Sequence, residues 1–161
     1  MRLNYKTLVL CFCLFMAINN PLCAQENPTK ENEPLFHDNA IYGSIGIGGY
    51  YVTLHGFYEH LIQERDKKTY LTTLIRAGFG YYGDWGDSGF FILVEGGFMT
   101  GARSAHLEAV CGINYFIQGD RQGITPAGSI GFRLQKPKGH FIFRTGIGYP
   151  EGLYFGIGFC F

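Results

Sequence analysis

Charge is scarce in this chain. Asp, Glu, Lys and Arg make up 16% of its 161 residues, well below the globular norm of about 25%. Neither sign dominates, with 13 basic and 13 acidic groups, so the basic field that nucleic-acid binding requires is missing and a nucleic-acid partner is excluded. Also missing is any interior apolar run of about 18 residues, so no interior segment can span a bilayer as a helix. The one long apolar run, Thr7 to Ile18, lies at the amino terminus behind Arg2 and Lys6 and ahead of Pro21-Leu-Cys-Ala24. That layout is a secretory signal peptide cut after Ala24, and residues 1–24 are read as such a leader. Cleavage leaves about 137 residues, enough for one domain. Arg2 and Lys6 go with the leader, so 11 basic and 13 acidic groups remain.

Cysteine is nearly absent once the leader is set aside. Cys11, Cys13 and Cys23 belong to it, which leaves Cys111 and Cys160. In the strand pattern below these two fall on opposite parities, and the two faces of a strand do not mix, so a disulfide between them is not expected. Lipidation of Cys23 is an alternative that would tether the chain by its amino terminus. Leu22 is a poor residue before a lipidated cysteine, and the small-residue site at Ala24 is favoured. Metal-ligand spacing is missing too: His37, His55, His60, His106 and His140 are dispersed, and neither a metal nor another cofactor is expected. Gly43-Ser-Ile-Gly-Ile-Gly-Gly49 has the glycines of a phosphate-binding loop without its Lys-Ser/Thr or its helix. Small inward residues of a strand explain it better.

What the chain does have is aromatic residues, at 17%, and 24 glycines. Residues 25–39 are rich in Asn, Glu and Pro with little to bury, and read as a disordered periplasmic tail. From Ala40 onward eight segments of about eight to thirteen residues, the length a tilted strand needs to cross a bilayer, alternate with turn clusters. They are 41–48, 51–61, 70–81, 89–99, 104–116, 124–135, 140–149 and 152–161. Short turns between successive strands give an antiparallel meander, and an even number lets the first pair with the last and remove both edges. The expected fold is all-β, an eight-stranded antiparallel up-and-down transmembrane β-barrel over residues 40–161.

Charges test this reading, because each strand should put one parity in lipid and the other inside. Ile75, Ala77 and Phe79 alternate with Arg76, Gly78 and Gly80; Leu107, Ala109, Cys111 and Ile113 alternate with His106, Glu108 and Asn114. Phe90, Ile92 and Val94 are set against Glu95, Ile130, Phe132 and Leu134 against Arg133, and Phe141, Phe143 and Ile147 against Arg144, while Glu59 joins the inward set. A charge facing the bilayer midplane costs about 2 to 4 kcal/mol, which accounts for the segregation. Glu59, Glu95 and Glu108 balance Arg76, Arg133 and Arg144, so an ion-pair network filling the interior is expected. Eight strands leave a bore that side chains can fill, so the barrel is not expected to be a porin.

Aromatic residues gather at the two ends as interfacial belts: Tyr50, Tyr81, Trp85, Tyr115 and Tyr149 at one, Tyr58, Tyr70, Phe98, Phe159 and Phe161 at the other. With both termini periplasmic, the connectors 63–69, 100–103 and 136–139 carry net +4, and the outer turns carry Asp84, Asp87, Asp120 and Glu151 against Arg121. Asp84 and Asp87 are read as solvated turn residues, with a bridging divalent cation against lipopolysaccharide as the alternative. Ser104, His106 and Glu108 share one strand face at i, i+2 and i+4, the residue types of a hydrolytic triad. Their inward parity and periplasmic position weigh against one.

The chain closes on Tyr154-Phe-Gly-Ile-Gly-Phe-Cys-Phe161. Tyr154, Gly156, Phe159 and Phe161 resemble the terminal signal that the barrel assembly machinery reads in Gram-negative outer-membrane barrels. Residues 41–161 resemble small eight-stranded barrels of the OmpX/OmpA class. Gly-His-Phe-Ile-Phe-Arg-Thr-Gly-Ile and Ala-Ile-Tyr-Gly-Ser-Ile-Gly-Ile-Gly-Gly also look like short outer-membrane proteins of the Bacteroidetes type. The resemblance implies an outer-membrane location, lipid and lipopolysaccharide as surroundings, and the assembly machinery as a partner during biogenesis. The better-known small barrels carry long extracellular loops that bind receptors, and the short outer connectors here depart from that. The expected function is a non-enzymatic envelope or partner-anchoring role. The alternatives are a lipid-modifying deacylase or acyltransferase using Ser104, His106 and Glu108, and a secreted lipocalin-like carrier, which would have the opposite parity.

Overall fold

The computed structural model describes residues 36–49, 51–62, 71–101, 103–119 and 121–161. The expected leader, the expected tail up to residue 35, Tyr50, the connector 63–69, Tyr70 and Asp120 lie outside the described residues. Eight strands follow one another: β1 Asn39–Gly48, β2 Tyr51–Ile62, β3 Leu71–Asp84, β4 Ser88–Thr100, β5 Ala105–Phe116, β6 Gly123–Gln135, β7 Phe141–Tyr149 and β8 Gly152–Cys160. Each pairs antiparallel with the next, and β1 pairs with both β2 and β8. The sheet is therefore a closed up-and-down barrel with no free edge. The end bearing Asn39 and Phe161 is its base, and the end bearing the tight turns at Gly49 and Pro150–Glu151 its rim.

Period-two alternation accounts for both faces. No Asp, Glu, Lys or Arg occupies an outward position on any of the eight strands. Those positions carry Ile, Leu, Val, Phe and Tyr, with Phe79, Ile124, Ile130 and Ile147 each more than 60% exposed. The inward positions carry Glu59, Arg76, Glu95, Glu108, Arg133 and Arg144 together with a second group of large residues, Tyr42, Phe57, Tyr82, Phe91, Phe116 and Tyr154. An eight-stranded bore has no room for six large rings and three arginines unless other inward positions shrink. Glycine does that. A Cβ at Gly80 would meet the ring of Phe91, one at Gly78 the ring of Phe57, and one at Gly131 or Gly146 the hydroxyl of Tyr154. These four inward glycines are slots in which the rings of Phe57, Phe91 and Tyr154 lie.

Order begins earlier than the composition of the tail suggests. Phe36, three residues ahead of β1, is only 3% exposed and packs with Leu61, Leu74, Met99 and Val110. Phe36–Asn39 thus departs from the expected disordered tail, because a single aromatic residue in a polar segment found an apolar recess to fill.

Two substitutions separate the inner wall from the outer. At Gly112 a Cβ would run into the carbonyl of Val94 and the Cα of Glu95, whereas at outward Gly96 the nearest atom, the Leu74 carbonyl oxygen, is 3.8 Å away. Gly112→Ala is expected to lower stability by roughly 1–3 kcal/mol, and Gly96→Ala to stay within about 0.5 kcal/mol of the parent. The midpoint of urea unfolding in detergent micelles measures both.

Candidate functional site

Parity points Glu59, Arg76, Glu95, Glu108, Arg133 and Arg144 into the bore, and ring closure decides which meets which. All six are at most 2% exposed. Glu108 on β5 is the hub. Its Oε1 accepts from Arg76 Nη1 at 3.1 Å and, in a short contact, from Arg144 Nη2, and its Oε2 from Arg133 Nη1 and Arg144 Nε at 3.2 Å each. Arg76 Nε also donates to Glu95 at 2.6 Å, and Arg133 reaches Glu59 at 2.6 Å. Register alone misleads here. Glu59 stands directly opposite Arg76, yet its ion pair runs across the bore to Arg133. Arg133 and Arg144 face each other on neighbouring strands, a like-charge pair that repels unless an anion bridges it; Glu108 is that bridge.

Neutral side chains complete the cage. The Tyr42 hydroxyl donates to Glu59 Oε2 at 3.2 Å and accepts from Arg76 Nη1 at 3.1 Å. Ser129 Oγ accepts from Arg76 Nη2 and Gln135 Oε1 from Arg133 Nε. Arg144 lies over the rings of Tyr42 and Tyr154, and Arg76 over Phe57. Arg76 is thus held by carboxylates, neutral acceptors and a π face, Arg133 by carboxylates and an amide oxygen, and Arg144 by a carboxylate and two π faces, which offsets the cost of taking them out of water.

The structure adds a fourth carboxylate. The sequence puts Glu151 on an outer turn. It is 1% exposed and folded into the rim end of the bore, 4.0 Å from Arg76 Nη2 and 3.7 Å from His55 Nδ1. Thr53 Oγ1 donates to its backbone carbonyl at 3.3 Å. Gly152 permits this fold, with φ +72 and no room for a Cβ against Ile47. Burial raises the Glu151 carboxyl above the ordinary glutamate range, with Arg76 and Arg144 pulling the other way. Ser44 Oγ and both ring nitrogens of His55 have no hydrogen-bond partner among the described residues.

The other candidate residues separate. Tyr154 and Gly156 face the bore, while Phe159 and Phe161 face outward, so the four residues of the terminal signal lie on two faces of the barrel. Tyr81, Tyr115 and Tyr149 face outward near the rim, and Trp85 is 96% exposed at the β3–β4 turn. Asp84 is occupied by the backbone N–H groups of Gly86 and Asp87 and by Arg121, and the Tyr82 hydroxyl donates to Asp87. These contacts leave the pair as turn residues. His106 sets its two ring nitrogens against the carbonyls of Thr100 and Gln135, and Glu108 belongs to the arginines. Ser104, His106 and Glu108 thus make no relay. Cys111 is exposed on the outer face and Cys160 buried within. The arrangement cross-links strands across the bore. No family model, curated protein or solved structure matches the chain.

Glu108→Gln leaves three buried guanidiniums sharing one carboxylate fewer and is expected to cost about 3–5 kcal/mol. The urea midpoint of the folded barrel measures it, and a loss under 1 kcal/mol would remove Glu108 as the hub. Glu151 carries a pH dependence whose sign follows from its raised value. The folded chain keeps a proton that the unfolded chain releases, so stability is full below about 4.5, the ordinary glutamate value, and falls as pH rises toward the folded one. Glu151→Gln is expected to flatten that fall in unfolding midpoints taken between about pH 5 and pH 8; equal slopes in the two proteins would clear Glu151 of it.

Proposed function

We propose that this chain is a small outer-membrane β-barrel of the OmpX/OmpA-like type, with a side-chain-filled bore and a structural role in the envelope or as the anchor of a partner. The observation that carries the reading is the outer wall. An apolar surface encircles all eight strands without one full charge, whereas soluble monomers rarely expose contiguous apolar patches beyond a few hundred Å². Lipid is the solvent such a wall matches, and a closed sheet satisfies its backbone without water. The charged interior is the reverse of what a soluble carrier of apolar ligands presents.

Anchoring suits the bore better than transport or catalysis. Arg76, Arg133, Arg144 and their carboxylates fill the cross-section with paired charge. Outward aromatic residues near both ends fit the two interfaces of a bilayer, and outward Phe159 and Phe161 are where the assembly machinery would read the last strand. Outer-leaflet lipopolysaccharide would then surround the rim.

Fractionation of an expressing Gram-negative cell, followed by electrophoresis with and without boiling, tests the proposal. The protein is expected in the outer-membrane fraction, migrating faster unboiled than boiled. Recovery in the soluble periplasm without a heat shift would sink the membrane reading and turn attention to soluble ligands.

A further inference from the structure

The base of the bore carries a second device, built from the segment ahead of β1. Leu61, Leu74, Met99 and Val110 project inward from β2, β3, β4 and β5 and form an apolar socket whose fifth member is Phe36. The Phe36 ring meets the His106 ring edge to face, with centroids 5.1 Å apart. Met99 stands opposite Glu108 on the neighbouring strand, so the socket adjoins the hub of the ion network. The segment is fastened along its length. The Asp38 carbonyl accepts from Leu61 N–H at 2.7 Å, and Asn39 and Phe161 exchange backbone hydrogen bonds of 3.1 and 2.8 Å. His37 stacks on His140, which stacks in turn on Phe159 and sets Nδ1 2.9 Å from the Cys160 carbonyl.

We propose that this socket is an intramolecular docking site whose occupant is the chain's own segment Phe36–Asn39, with Phe36 as the stopper that closes the base of the bore. The partner is argued from what fills the site: four aliphatic or thioether side chains from four strands converge on one aromatic ring, and a strap of backbone bonds and stacked rings carries that ring there. The stopper acts on the network beside it. Water reaching Glu108 would screen its three guanidiniums, and an apolar ring between them and the base mouth keeps the pairs in the dry surroundings where they are strongest. At the other end the Glu151 side chain folds in from the rim turn toward Arg76. The docking concerns the barrel alone and holds whether or not the outer wall lies in a membrane.

Met99 reports on the socket without an added label. Hydrogen peroxide transfers one oxygen to its thioether, giving the sulfoxide and water, and tryptic residues 77–103 contain Met99 as their only methionine. The full chain, folded in detergent micelles and treated with peroxide, is followed by mass spectrometry of that peptide. Phe36→Ala protein that still migrates faster unboiled is expected to oxidise Met99 roughly tenfold or more faster than the parent. Phe36→Leu, which keeps a shorter apolar stopper, is expected in between and serves if the alanine variant fails to fold. Folded Phe36→Ala protein oxidising at the parental rate would overturn the proposal. So would a parent whose Met99 reacts as fast folded as it does in urea, a comparison that needs no variant.

Discussion

Three guanidiniums share one carboxylate, and the rest of the barrel is arranged so that they can. Arg76, Arg133 and Arg144 come from β3, β6 and β7, and only a sheet closed on itself brings them round to Glu108 on β5. Without that carboxylate, Arg133 and Arg144 would oppose each other across one ladder. Without the arginines, Glu108 would be a buried anion with no partner. Each half makes the other tolerable, as buried charge requires.

Space follows from the same constraint. Guanidiniums stacked on Tyr42, Phe57 and Tyr154 need those rings flat against them, and the rings need inward positions with no side chain. Glycine at 78, 80, 131 and 146 is thus a packing requirement set by the contents of the bore. Dryness follows as well. Glu151 folds in at the rim and Phe36 packs in at the base, so the ion pairs lie between a buried carboxyl group and an apolar ring. The outer wall, free of charge, completes a low-dielectric shell around charges that would be weak in water.

Much of this was legible before any coordinates. Strand number, order and inward residues followed from alternation, and Glu59, Arg76, Glu95, Glu108, Arg133 and Arg144 could be assigned to the interior because a β-strand reverses its side chains at every residue. Glu151 was not legible. A lone acid between proline and glycine reads as a solvated turn, and nothing local says that the β7–β8 turn folds inward. Phe36 was missed for the related reason that its socket is assembled from four strands distant in the chain. Tyr154 looked like a partner of Phe159 and Phe161, although its odd separation from them puts it on the opposite face.

Alone, the sequence determined the strands, their faces and the charge balance of the interior, because period-two geometry and the exclusion of charge from an apolar wall act residue by residue. Tertiary structure decided which carboxylate holds which arginine, which glycines receive which rings, and what folds in at the rim and the base. Those choices depend on distances across the bore, and such distances exist only once β8 has paired with β1.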